Sequence, residues 1–103
     1  MYTLDYKSAL RWNKQLVRQT PHMTIQNYLW ALQVFCEWTG KTPDELIRER
    51  LFEIYAEIEF SKTQTFSRIE KYQQQDKSKT KHSKDMIIKA LTSFYESNEA
   101  NIN

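Results

Sequence analysis

Between Lys77 and Lys84 the chain reads Lys-Ser-Lys-Thr-Lys-His-Ser-Lys, four ammonium groups interleaved with three hydroxyls and an imidazole. Ammonium and hydroxyl groups are phosphate ligands, and a helix beginning at the end of such a run adds backbone N–H groups aimed at the same anion. This helix start has a counterpart earlier in the chain. Thr24 is followed by Ala31-Leu32 and Phe35, and Ser83 by Ala90-Leu91 and Phe94, with Ala-Leu beginning seven residues after the hydroxyl each time. Two similar helix starts, the second reached through lysines, point to contact with a polyanion.

The residues able to do bond-making chemistry are poorly placed for it. Cys36 is the sole cysteine, so no intramolecular disulfide forms, and it falls on an apolar helical face where packing is its expected role. His22 and His82 have no ligand spacing with it, and no metal or cofactor is expected. Both read as surface residues flanking helices. Of the six tyrosines, Tyr6, Tyr28, Tyr55, Tyr72 and Tyr95 lie on apolar stripes and Tyr2 at the terminus, none beside an Arg/His constellation. No catalytic residue is assigned.

A chain of 103 residues suits one domain with a single core. One glycine and two prolines are too few for the frequent turns of a sandwich or barrel. No apolar run approaches the roughly 20 residues of a membrane span, and no signal peptide is recognisable. The expectation is a soluble cytoplasmic helical domain without membrane contact. The net charge of +2 hides a strong polarity. Residues 1–41 sum to +3, 42–59 to −4, 60–89 to +5 and the remainder to −2. One basic and one acidic surface would suit a protein that grips a polyanion on one side.

Periodicity and caps supply the elements. A first helix is expected over Asp5–Gln19, burying Tyr6, Ala9, Leu10, Trp12, Leu16 and Val17. Thr20-Pro21 ends it, and Thr24 reads as the N-cap of a second helix running to about Thr39. That helix is apolar on two faces, one with Ile25, Tyr28, Leu32 and Phe35, the other with Trp30, Val34 and Trp38. The three tryptophans, Trp12 included, are expected in the core. Gly40 is the left-handed stop, and Thr42-Pro43-Asp44-Glu45 is a capping box with proline at N1. A third helix is expected to bury Ile47, Leu51, Ile54, Tyr55 and Ile58 and to turn its acids to water. A break near Phe60–Thr65, a short helix over Phe66–Gln74, a polar loop over Gln73–Lys81 and a last helix over Ser83–Ser97 complete the chain. The core is placed at residues 5–98, with 99–103 as a frayed end or the start of a linker. The fold class is all-α, a compact bundle of four to five helices.

Thr24-Ile25-x-x-Tyr28 leading to Ala31-Leu32-x-x-Phe35, followed by Trp38-Thr39-Gly40-Lys41-Thr42-Pro43-Asp44-Glu45-Leu46-Ile47, resembles the N-terminal core-binding domain of tyrosine recombinases, the phage-type integrases, closest to the archaeal-type group. The closing Ala90-Leu91-x-x-Phe94-Tyr95-x-x-Asn98 resembles that domain's last helix. The resemblance spans about residues 5–100 and is weakest over Glu53–Lys81. It implies a SAM-like helical arm of a clamp around duplex DNA, non-catalytic by itself. The DNA-breaking and rejoining chemistry would belong to a C-terminal catalytic domain of the same chain, and other recombinase protomers would be partners on the DNA. Localisation would then be nucleoid-associated.

By position the resemblance nominates His22, Thr24, Gln26 and Asn27 at the second helix as DNA contacts. At the last helix it nominates Lys79, Lys81, Ser83, Lys84 and Lys89, with Lys14 and Arg18 from the first. Trp30 and Gln33 stand where a basic residue would make the match stronger. Asn27 and Gln26 have the donor–acceptor pairs that read adenine edges. Four neutralised phosphates imply a log–log salt slope of about −3.6. The rival expectation is a helical protein-interaction module without nucleic-acid binding.

Overall fold

Local signals set most of the helix ends. The Thr42 backbone N–H donates to Glu45 Oε1 at 2.9 Å and the Glu45 N–H donates to Thr42 Oγ1 at 3.2 Å, closing the capping box, with Pro43 in the first helical position. Gly40, at φ 74°, ends the preceding helix in the left-handed conformation that costs glycine least, and its N–H donates to the Cys36 carbonyl at 2.9 Å. The structure, a computed structural model, describes residues 3–75 and 81–102, without the side chains of 81–83. It holds five helices: α1 (Lys7–Gln19), α2 (His22–Thr39), α3 (Pro43–Tyr55), α4 (Gln64–Gln75) and α5 (Lys81–Ser97). Short 3-10 turns cover Thr3–Asp5 and Phe60–Lys62. No strand occurs among the described residues, and the fold is an all-α bundle. No helix among them is long and apolar enough to cross a membrane.

The centre is α2 against α5. Ala31 and Ala90 are fully buried at equivalent positions, and their small side chains let the two backbones approach while Leu32, Phe35, Leu91 and Phe94 fill the space around them. From α1, Trp12 meets Phe94 edge-on at 5.4 Å and stacks on Tyr28 at 6.2 Å, and its indole N–H donates to Ser93 Oγ at 2.9 Å. From α4, Tyr72 packs edge-on against Phe35 at 5.2 Å. Cys36 is buried in this core, and burial pushes its thiol up to about 12.

Several expectations are corrected. Thr24 does not cap α2: the helix opens at His22, because Pro21, extended at ψ 146°, already offers its carbonyl to the Ile25 N–H at 3.0 Å. Thr24 is the third helical residue, as Ser83 is in α5. α1 begins at Lys7, and only Ala9, Trp12 and Leu16 of its expected stripe are buried, with Val17 61% exposed. Trp30 and Trp38 are not core residues. Trp30 is 55% exposed over a shallow depression with Leu4 and Leu29.

The largest correction is the rotation of α3. Of its expected apolar face only Ile47 is buried, and Tyr55 is 88% exposed. The buried face instead carries Leu46, Ile47, Arg50 and Glu53. A charge pair can occupy a core only when its donors and lone pairs are met, and here they are. Arg50 Nη1 donates to Glu53 Oε1 at 3.3 Å, Arg50 Nε to the Asn101 carbonyl at 2.6 Å, and the Thr65 N–H to Glu53 Oε2 at 3.2 Å. The guanidinium also lies 4.8 Å above the Phe60 ring. The same contacts hold the tail, which is neither frayed nor extended through residue 102. Asn98 and Ala100 are buried and Ile102 packs against the core.

Candidate nucleic-acid interface

The N-terminal half of α2 and the first turns of α5 form the walls of a groove of about 380 Å³, lined by Thr24, Asn27, Tyr28, Asp85, Met86 and Lys89. Its floor is apolar and rigid, because Tyr28 is backed by the Trp12 ring. Its walls carry a hydroxyl, an amide, an ammonium and a carboxylate. Asp85 opposes phosphate, so this groove is no simple anion cradle. Its donors and acceptors match the chemistry of base edges better than that of the backbone. His22 and Gln26 are exposed and paired side chain to side chain at 3.1 Å, and Gln26 lines the separate depression beside Trp30 rather than this groove. No side chain caps α2, which leaves its first N–H groups open.

The structure thus brings Thr24, Asn27 and Lys89 together. It separates Lys84 from them: five residues along α5 rotate a side chain by roughly 140°, and Lys84 lines a cleft with Tyr72, Gln73 and Ile87 beside α4. Lys79 and the side chains of Lys81 and Ser83 lie outside the described residues. Asp85, Met86 and Tyr28 were not among the residues expected in the site, and no sequence signal marks them beyond their place in each helix's first turns.

Lys14 and Arg18 sit elsewhere, exposed on α1. There they join Lys7 and Arg11, which the sequence reading passed over although the spacing of four, three and four places all four on one helical face. That face lies opposite buried Trp12 and Leu16, and α1 contains no acidic residue. Among the described residues none of the four cations enters an ion pair.

Part of the expected acidic face of α3 is drawn into the fold. Asp44 accepts from both the Ser8 N–H, at 2.9 Å, and the Ser8 hydroxyl, at 2.7 Å. Desolvation works against that carboxylate, but the Ser8 bonds outweigh it and hold the group below the usual range. The Thr42 bonds hold Glu45 low in the same way. Glu49 pairs with Arg68, and Glu53 is buried with Arg50. Glu45 itself stays exposed, as do Glu57 and Glu59 beyond the helix, and Arg48 faces outward.

No protein-family model, no curated protein and no solved structure matches this chain.

Proposed function

We propose that this chain is a DNA-binding domain of a site-specific tyrosine recombinase, gripping duplex DNA at the recombination site without carrying the catalysis itself. The observation that supports it most is the α1 stripe, in which Lys7, Arg11, Lys14 and Arg18 run along one exposed face with no ion pair among the described residues. Over about 16 Å at 1.5 Å per residue, such a row matches the reach of several phosphates. The α2–α5 groove adds Asn27 and Lys89 as base-edge and phosphate ligands. The recombinase assignment rests on the helix-start resemblance. It implies a catalytic domain bearing arginine, histidine and a nucleophilic tyrosine in the same polypeptide, further protomers on the DNA, and a nucleoid-associated location.

The test is a salt titration of binding to a random duplex followed by fluorescence anisotropy. Affinity should fall with a log–log slope near −3.6 for four neutralised phosphates. No binding at about 50 mM salt, or binding indifferent to salt, would remove the reading. The second reading, a protein-interaction module without nucleic acid, draws on the exposed Phe52 and Tyr55 of α3 and predicts that outcome.

A further inference from the structure

Three cations from two helices meet at one point of the surface. Lys7 and Arg11 of α1 and Arg48 of α3 line a depression of about 300 Å³, with Leu51 and Asn98 beside them. Asp44 lies in it too, but its carboxylate is engaged by Ser8. Farther along α3 stand two largely exposed aromatic rings: Phe52 is 66% exposed and Tyr55 88%. They follow Arg48 by four and seven residues, about 6 and 10 Å along the helix axis. Ten ångströms is about three nucleotides of a stacked strand at 3.4 Å each.

We infer that this α1–α3 face binds single-stranded DNA, with phosphates on Lys7, Arg11 and Arg48 and unstacked bases on Phe52 and Tyr55. A cationic track beside protruding aromatic faces is how strands without a complement are held, because every base has a face to stack and the cations follow the backbone. Duplex DNA keeps its base faces stacked and has nothing to offer these rings. Lys7, Arg11 and Arg48 concentrate positive charge beside the rings, which complements a phosphate backbone. On the far flank, Glu57 and Glu99 border a separate groove over Ile54, Ile58 and Phe60. Their carboxylates limit the platform there and direct the strand back over α1.

The inference rests on the DNA-binding reading and shares Lys7 and Arg11 with its α1 stripe, but Phe52 and Tyr55 belong to the single-strand site alone, so variants of these rings let the two fail separately. The probe is a fluorescein-labelled single strand of about twelve nucleotides containing 2-aminopurine, against the same sequence as duplex. The full chain is compared with Phe52→Leu and Tyr55→Leu, singly and together; leucine keeps the apolar bulk and removes the stacking face. The double variant should lose about tenfold to a hundredfold in single-strand affinity, with duplex affinity unchanged. Quenching of 2-aminopurine should be present with the parent chain and lost with the variant, while circular dichroism stays the same. Single-strand affinity and quenching insensitive to both substitutions, beside intact duplex binding, would overturn this inference and leave the duplex reading standing. Ring-dependent single-strand binding without duplex binding would do the reverse. Failure to bind either form overturns both. Tighter binding to an oligouridine of equal length, or self-association abolished by Tyr55→Leu without strand binding, would also overturn the assignment.

Discussion

Arg50 and Glu53 lie one helical turn apart on α3 and form an ion pair at 3.3 Å with both side chains about 5% exposed. The pair links three segments: α3, the start of α4 through the Thr65 N–H, and the tail through the Asn101 carbonyl. It explains why α3 turns a polar pair inward and leaves Phe52 and Tyr55 outside. Removing one member strands the other charge in the core. Glu53→Ala should therefore destabilise by about 3–5 kcal/mol in denaturant unfolding. The double change Arg50→Met with Glu53→Leu should be far milder. Equal losses in the two variants would show that the pair's charge is not what matters.

The acid limb of stability should run through Asp44 and Glu45. Both carboxyls are held below their ordinary values of 3.8 and 4.5 in the folded chain. A carboxyl depressed by folding contributes fully above its unfolded pKa, and that contribution disappears as pH falls through the lower, folded value. Stability from these groups should be constant from about pH 5 to 7 and decline below about pH 4. Asp44→Asn, or Ser8→Ala, should flatten that decline in melting curves taken across pH. An unchanged acid limb in both variants would refute the role of the Ser8 bonds.

Changing the α1 stripe should affect binding and leave folding alone. Each of Lys7, Arg11, Lys14 and Arg18 changed to Gln should reduce the salt slope of duplex binding by about 0.9. All four are exposed on a helix whose opposite face holds Trp12, so melting temperatures should stay put. A slope that does not change with the number of substitutions would place the phosphates elsewhere.

Spacing puts Lys84 and Lys89 on different sides of α5, and the structure decides which of them faces the groove. Lys89→Ala should weaken duplex binding, since Lys89 faces the groove with Asn27, and Lys84→Ala should leave it nearly unchanged. Asn27→Ala should cost about 1–3 kcal/mol in discrimination among base pairs if the groove reads adenine. Competition between duplexes of differing sequence measures it, and identical preferences before and after would reassign Asn27 to solvent.

Cys36 should be inert in the native chain. Its thiol is buried and pushed up to about 12, so almost no thiolate exists near neutrality. A thiol reagent should label it only as fast as the chain unfolds, which mass spectrometry across denaturant concentrations can follow. Rapid labelling without denaturant would show that the α2 core opens locally.

The sequence by itself determined the ends of α1 and α2, the start of α3 and the central packing, whereas the starts of the other helices fell a few residues from where it put them. Gly40, the Thr42–Glu45 box and Pro21 act over three or four residues, so their consequences can be read without knowing what lies across the fold. The paired Ala-Leu-x-x-Phe runs of α2 and α5 were equally plain, because a helix apolar at that spacing has one way to bury it. Only the tertiary structure decided the rotation of α3, the docking of residues 98–102 and the company each cation keeps. These depend on partners 36 and 51 residues apart, Ser8 with Asp44 and Arg50 with Asn101. Asp44, Glu49 and Glu53, which look like part of a solvated face in one dimension, become internal ligands once those partners arrive. The same rearrangement leaves Arg48, Phe52 and Tyr55 facing outward.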